Sequence, residues 1–125
     1  MLGFSLFLIY FGRFLLGAAF VVFGIRNIAN IPGLTAAMTQ KGLLPQPRQW
    51  MIAGVGIQII GGLMVASGIF AWLGALALAV FVLAAAYLFH PFWEFKGAER
   101  NPHINACIMN TGLCGAFLIV MALSF

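Results

Sequence analysis

Apolar positions run almost unbroken through three stretches, Leu2 to Ile25, Met51 to Phe89 and Ile104 to Phe125. A helix needs about 20 such residues to cross a bilayer, so the first and last stretches each predict one membrane helix. The middle stretch is uncharged and would be about 60 Å long as one helix, so it must fold back once, near Ser67-Gly68 or Ala71-Trp72. The pattern predicts an all-α, four-helix transmembrane bundle forming one membrane domain over residues 1–125. Its helices fall at about 2–25, 49–68, 70–89 and 103–125.

Polar positions define the connections. After the Ile31-Pro32-Gly33 break, Leu34, Ala37, Met38 and Lys41 recur at helical spacing, which predicts a short amphipathic helix on the membrane surface in the first connection. Gln40-Lys41-Gly42 reads as its end, and Pro45-Gln46-Pro47 as a stiff lead into the next helix. The last connection, Pro91 to Pro102, holds both acids, Glu94 and Glu99. It closes on a helix-start signature, with Asn101 as cap and Pro102 at the first helical position.

Composition agrees with this reading. The 125-residue chain is 64% hydrophobic and 6% charged, with a mean hydropathy of +1.11, far from the roughly 25% charge of soluble domains. A net charge of +4 would suit nucleic acid on a soluble protein, but here it reads as topology, and no nucleic-acid partner is expected. Arg26, Lys41 and Arg48 lie in the first connection and Lys96 and Arg100 in the third. The positive-inside rule puts both connections in the cytoplasm and both termini outside. No Lys or Arg precedes Leu2 as a cleaved signal would require, so the first stretch is expected to remain as a helix.

One charge does not fit the pattern. Arg13 lies roughly 18–20 Å from either end of its apolar run, and its side chain reaches only about a third of that distance. Tyr10, Gly17, Phe20 and Gly24 share its face, and a stripe of small and polar residues marks the side turned to other helices. Counting from the cytoplasmic helix ends puts Arg13, Gln58 and Asn110 roughly 18, 13 and 10 Å deep, close enough to meet. Tyr87 and His90 would cap the same cavity, as would His103 and Cys107. No Asp or Glu lies in any span, and an unpaired buried cation is costly. The expected ligand site is therefore Arg13, Gln58, Asn110, Tyr87 and His90, open to a quinone carbonyl, an oxyanion or a lipid head group, because guanidinium presents a planar fork of donors to oxygen. A structural polar knot filled by protein alone is the competing reading.

No metal is assigned. His90, His103 and Cys107 are the only candidates, since His103 and Cys107 share a helix face and His90 approaches from the neighbouring helix. Cys107 and Cys114 are separated by roughly 10 Å along one helix, too far to pair, and are expected to be free thiols. Gly54, Gly61 and Gly68 recur every seven residues and suit close packing, within one bundle or between two copies of an oligomer.

Several stretches together resemble the DoxX family of small bacterial membrane proteins, over nearly the whole chain. They are Arg13-Phe14-Leu15-Leu16-Gly17, Gly24-Ile25-Arg26, Lys41-Gly42-Leu43-Leu44-Pro45, the glycine-rich second helix and Phe89-His90-Pro91-Phe92-Trp93. The resemblance implies a four-helix bundle in the bacterial inner membrane and a link to quinone-dependent sulfur oxidation or thiol-stress complexes. It carries over no catalytic residue. Arg13 and the motif His90, Pro91, Phe92 and Trp93 transfer only as matching positions. Three functional expectations follow. The first is a membrane subunit or accessory factor of a quinone-linked or thiol/sulfur redox system, with quinone as the cofactor class. The second is a carrier or channel for a small anionic or amphipathic molecule. The third is a membrane scaffold for soluble partner enzymes at the cytoplasmic face, where a soluble redox partner is one candidate occupant.

Overall fold

The computed structural model describes residues 1–125, arranged as five α-helices and two short 3-10 turns. The helices are α1 (Leu2–Ile28), α2 (Ile31–Lys41), α3 (Pro47–Ser67), α4 (Ala71–Phe89) and α5 (Arg100–Leu123). Four of the helical segments are long and apolar enough to cross a membrane, and α2 is the short helix of the first connection. The middle apolar stretch folds back at Gly68, which ends α3 with φ 86° and donates its N–H to Met64 O. That left-handed conformation is one glycine adopts without a Cβ penalty.

The four long helices alternate in direction and pack in the order α1, α3, α4, α5. Glycine sets the first contact. A Cβ at Gly17 would stand 2.5 Å from Ala66 N and one at Gly24 would stand 2.6 Å from Ile59 Cγ1, so α1 and α3 touch backbone to backbone. On the next seam, Gly61 faces Leu78 and Gly74 faces Met64. Val65, Leu78 and Phe117 are fully buried with Phe20, Ala75, Ala79 and Val82 around them. In lipid such a core is held by van der Waals fit rather than by exclusion of water, which is why small residues line the seams. The Phe20 and Phe117 rings close the bundle between α1 and α5, edge to face at 5.1 Å.

The start of the last helix and the role of α2 differ from the sequence reading. Helix α5 starts at Arg100 with Glu99 as its N-cap, so Asn101 is not the cap and Pro102 stands at the third helical position. Proline is tolerated there because the first-turn N–H groups have no acceptor within the helix. Helix α2 does more than lie on a membrane surface. Its Met38 is fully buried, it packs on α3, and its Lys41 ammonium bonds Leu88 O near the end of α4.

The helix ends are not flush. Gly17 lies beside Gly62 and Gly24 beside Gln58, so the same register carries the end of α1 to about Gly54, roughly 10 Å inside the start of α3. Helix α1 is displaced by that amount toward the α3–α4 turn. Arg26, Lys41, Arg48, Lys96 and Arg100, with both acids, gather at one end of the bundle, called the basic end below. Arg13 sits near the other.

Candidate functional site

The displacement of α1 separates the polar residues that the depth count brings together. The Arg13 guanidinium lies against Gly68, where an added Cβ would stand 2.5 Å from Nη2. Gln58 is ten residues earlier on α3, about 15 Å nearer the basic end. It is 6% exposed and accepts a 3.1 Å hydrogen bond from Asn27 Nδ2. Asn110 donates to Val82 O at 3.1 Å. Tyr87 is exposed beside Trp93, with ring centroids 5.8 Å apart. Arg13, Gln58, Asn110, Tyr87 and His90 therefore do not form one pocket. The count took the helix ends as level, and they are not. Asn27, outside the expected set, continues the stripe of Arg13, Gly17, Phe20 and Gly24 by one more turn.

At the basic end, the His90-Pro91-Phe92-Trp93 segment builds a joint. Pro91 is buried and cannot donate a backbone N–H, so α4 stops at Phe89. The carbonyls left at its end find other donors. Leu88 O takes Lys41 from α2. His90 O accepts Phe92 N–H at 2.8 Å and the Cys107 thiol of α5 at 3.3 Å. The His90 and His103 rings meet Nδ1 to Nδ1 at 3.1 Å, and Phe95 stacks on His103 with centroids 4.1 Å apart. His90, His103 and Cys107 thus come together as hydrogen-bond partners. No three His, Cys, Asp or Glu side chains are placed to hold a metal ion. Cys107 and Cys114 are free.

At the opposite end, a cleft of about 380 Å³ opens between α1 and α5. Leu8, Ile9, Gly12, Arg13 and Leu16 form one wall, and residues of α5 from Ala116 to Leu123, with Ser124, form the other. Its lining is apolar except at Arg13 and Ser124. The Ser124 hydroxyl donates to Val120 O within its own helix. Arg13 Nε is buried and has no hydrogen-bond partner, while the Tyr10 ring lies 5.2 Å from its Cζ. Both acids are at the far end of the bundle. The cleft therefore pairs an apolar trough with one cationic side chain that no protein acid answers, a combination suited to a ligand with an oxygen acceptor on an apolar body. Ser124 and the end of α5 escaped the sequence reading because the seam between the first and last helices leaves no mark in hydropathy.

The residues that carry Arg13, the paired glycines and the α4 end are also those matched by a family model. The DoxX model matches residues 8–91, about two thirds of the chain. The chain belongs to the DoxX family. With four apolar helices of spanning length, it is a multi-pass membrane protein. The DoxX match takes in Arg13, Gln58, Lys41, His90 and Pro91, whereas α5, with His103 and Cys107, and the following Ser124 lie beyond it. No curated protein and no solved structure matches the chain.

Proposed function

We propose that this DoxX protein is a membrane subunit of a quinone-linked redox system and that the cleft between α1 and α5 binds the quinone head. The observation that carries this reading is Arg13, the one charged side chain in a groove lined almost wholly by apolar residues, with no protein partner for its Nε. A quinone carbonyl accepts from a guanidinium without a counter-charge, and its ring and tail replace lipid against Leu8, Leu16, Ile119 and Leu123. A sulfur oxyanion matches the charge but would leave most of its shell of water for apolar walls, at a cost of several kcal/mol or more. The redox chemistry belongs to the quinone and its electron donor, and the protein supplies position and a hydrogen bond.

The five basic residues of the connections favour a cytoplasmic basic end, which puts Arg13 in the outer half of the bacterial inner membrane. From Val120 in the cleft to His103 is 17 residues of α5, about 25 Å. A soluble partner docked at the basic end is therefore too remote to touch the head group. The electron donor in this reading is a membrane or outer-face component.

Filling the cleft tests the reading. Purified protein in lipid nanodiscs is expected to bind a short-chain quinone analogue saturably, one per chain, and Ala116→Trp is expected to weaken that binding at least tenfold. Equal binding by wild type and Ala116→Trp would remove the cleft as the site.

A further inference from the structure

The joint at the basic end contains a pair of titratable groups that the cleft does not use. His90 caps α4 and His103 stands in the first turn of α5. Their Nδ1 atoms are 3.1 Å apart, so one nitrogen must carry the proton and the other must accept it. One ring and the other residue's backbone are fixed. His103 is covered by Phe95 at 4.1 Å, and the His90 backbone is tied by Phe92 N–H and Cys107 Sγ. The bond is therefore a defined link between two helices.

Proton counting sets its limits. A neutral pair has one Nδ1–H facing one bare Nδ1. One extra proton goes to the free Nε2 of the donor ring, which leaves the link intact and makes it charge-assisted. A second extra proton must go to the accepting Nδ1. Two N–H groups then face each other across a hydrogen-bond distance, on two cations.

The surrounding charges do not relieve that state. Lys41 of α2 bonds Leu88 O close to His90, so a further cation already stands beside the pair. From α5, Arg100 lies 5.5 Å from the Phe92 ring and Cys107 offers a neutral thiol to the His90 carbonyl. Glu94, Lys96 and Glu99 are exposed in the connection, and Tyr87 of α4 is exposed beside Trp93.

We propose that His90 and His103 form a proton-operated latch between α4 and α5, closed with up to one extra proton and open once both imidazoles are charged. Opening releases the segment between them, which includes Phe92, Trp93 and Phe95, while the α1–α3–α4 packing stays in place. Acidification of the compartment facing the basic end would thereby loosen the surface formed by this segment. The latch is independent of the quinone reading, since the two sites lie at opposite ends.

Hydrogen exchange of the full chain in nanodiscs, corrected for intrinsic rates and compared at about pH 8 and about pH 5, spans the histidine range and tests the latch. Amides of residues 92–103 are expected to lose at least tenfold in protection at the lower pH, with α3 unchanged. His103→Asn is expected to remove the dependence, because an amide donates to a bare His90 Nδ1 and accepts from a protonated one. His90→Asn asks the same question from the other side if His103→Asn does not fold. Equal protection at both pH values in wild type, an equal loss in the Asn variant, or parallel loss in α3 would overturn the proposal.

Discussion

Gly17→Leu is expected to prevent α1 from docking, with a loss of stability above about 3 kcal/mol, beyond the usual range for an overpacked core. The atoms a side chain would strike there are mainly the backbone of Gly62 and Ala66. Backbone yields only by separating the two helices, and in lipid the lost packing is not offset by a hydrophobic gain elsewhere. Gly12 is the matched control, because a Cβ there meets nothing within 4 Å. Unfolding in detergent titrated with SDS, followed by circular dichroism, should show Gly12→Leu near wild type and Gly17→Leu largely unfolded from the start. Equal stability of the two variants would contradict the α1–α3 register and, with it, the placement of Arg13.

The second large effect concerns Arg13 itself. Removing it should weaken quinone binding by roughly 10- to 150-fold, since a hydrogen bond to a charged group contributes about 1.5–3 kcal/mol. The same substitution should leave stability unchanged or raise it. Arg13 Nε is buried without a partner, and an uncompensated charge opposes folding. A residue kept for structure would behave in the opposite way, costing stability when removed and leaving affinity alone. Arg13→Ala and Arg13→Leu, measured for binding in nanodiscs and for unfolding in SDS, separate the two roles.

What was legible in the sequence was whatever depends on a residue's own surroundings along the chain. The uncharged stretch from Met51 to Phe89 demanded a fold back, and Gly68 supplies the left-handed residue that makes it. The Leu34, Ala37, Met38, Lys41 spacing marked α2, and Gly42 ends it with φ 67°. Hydropathy could not show whether the apolar face of α2 meets lipid or protein, and Met38 is buried against protein. The last helix takes its cap two residues before the one that spacing suggests, because Glu99, Asn101 and Pro102 all suit a first turn.

The candidate site was half legible. Arg13 stood out as a cation in an apolar run. Its neighbours did not, because they depend on the register between helices. Treating the helix ends as level joined Arg13 to Gln58 and Asn110. In the structure α1 slides by about 10 Å, Asn27 bonds Gln58, Asn110 bonds Val82 O, and Arg13 is left against Gly68 at the edge of the α1–α5 cleft. His90, His103 and Cys107 come together because two of them share a helix face and Pro91 brings the third to the same end. Their pairing through hydrogen bonds depends on ring orientations that spacing alone does not specify.

The central claim is that a quinone head occupies the α1–α5 cleft at Arg13, and covalent mapping tests it most directly. Wild-type protein in nanodiscs would be irradiated with a photoreactive quinone analogue, digested and sequenced by mass spectrometry. Adducts are expected within Leu8–Leu16 and Ala116–Ser124, competed by excess unlabelled quinone and lost in Arg13→Ala. Competable adducts concentrated instead around Gln58, Asn110 or the His90–His103 joint would contradict the account.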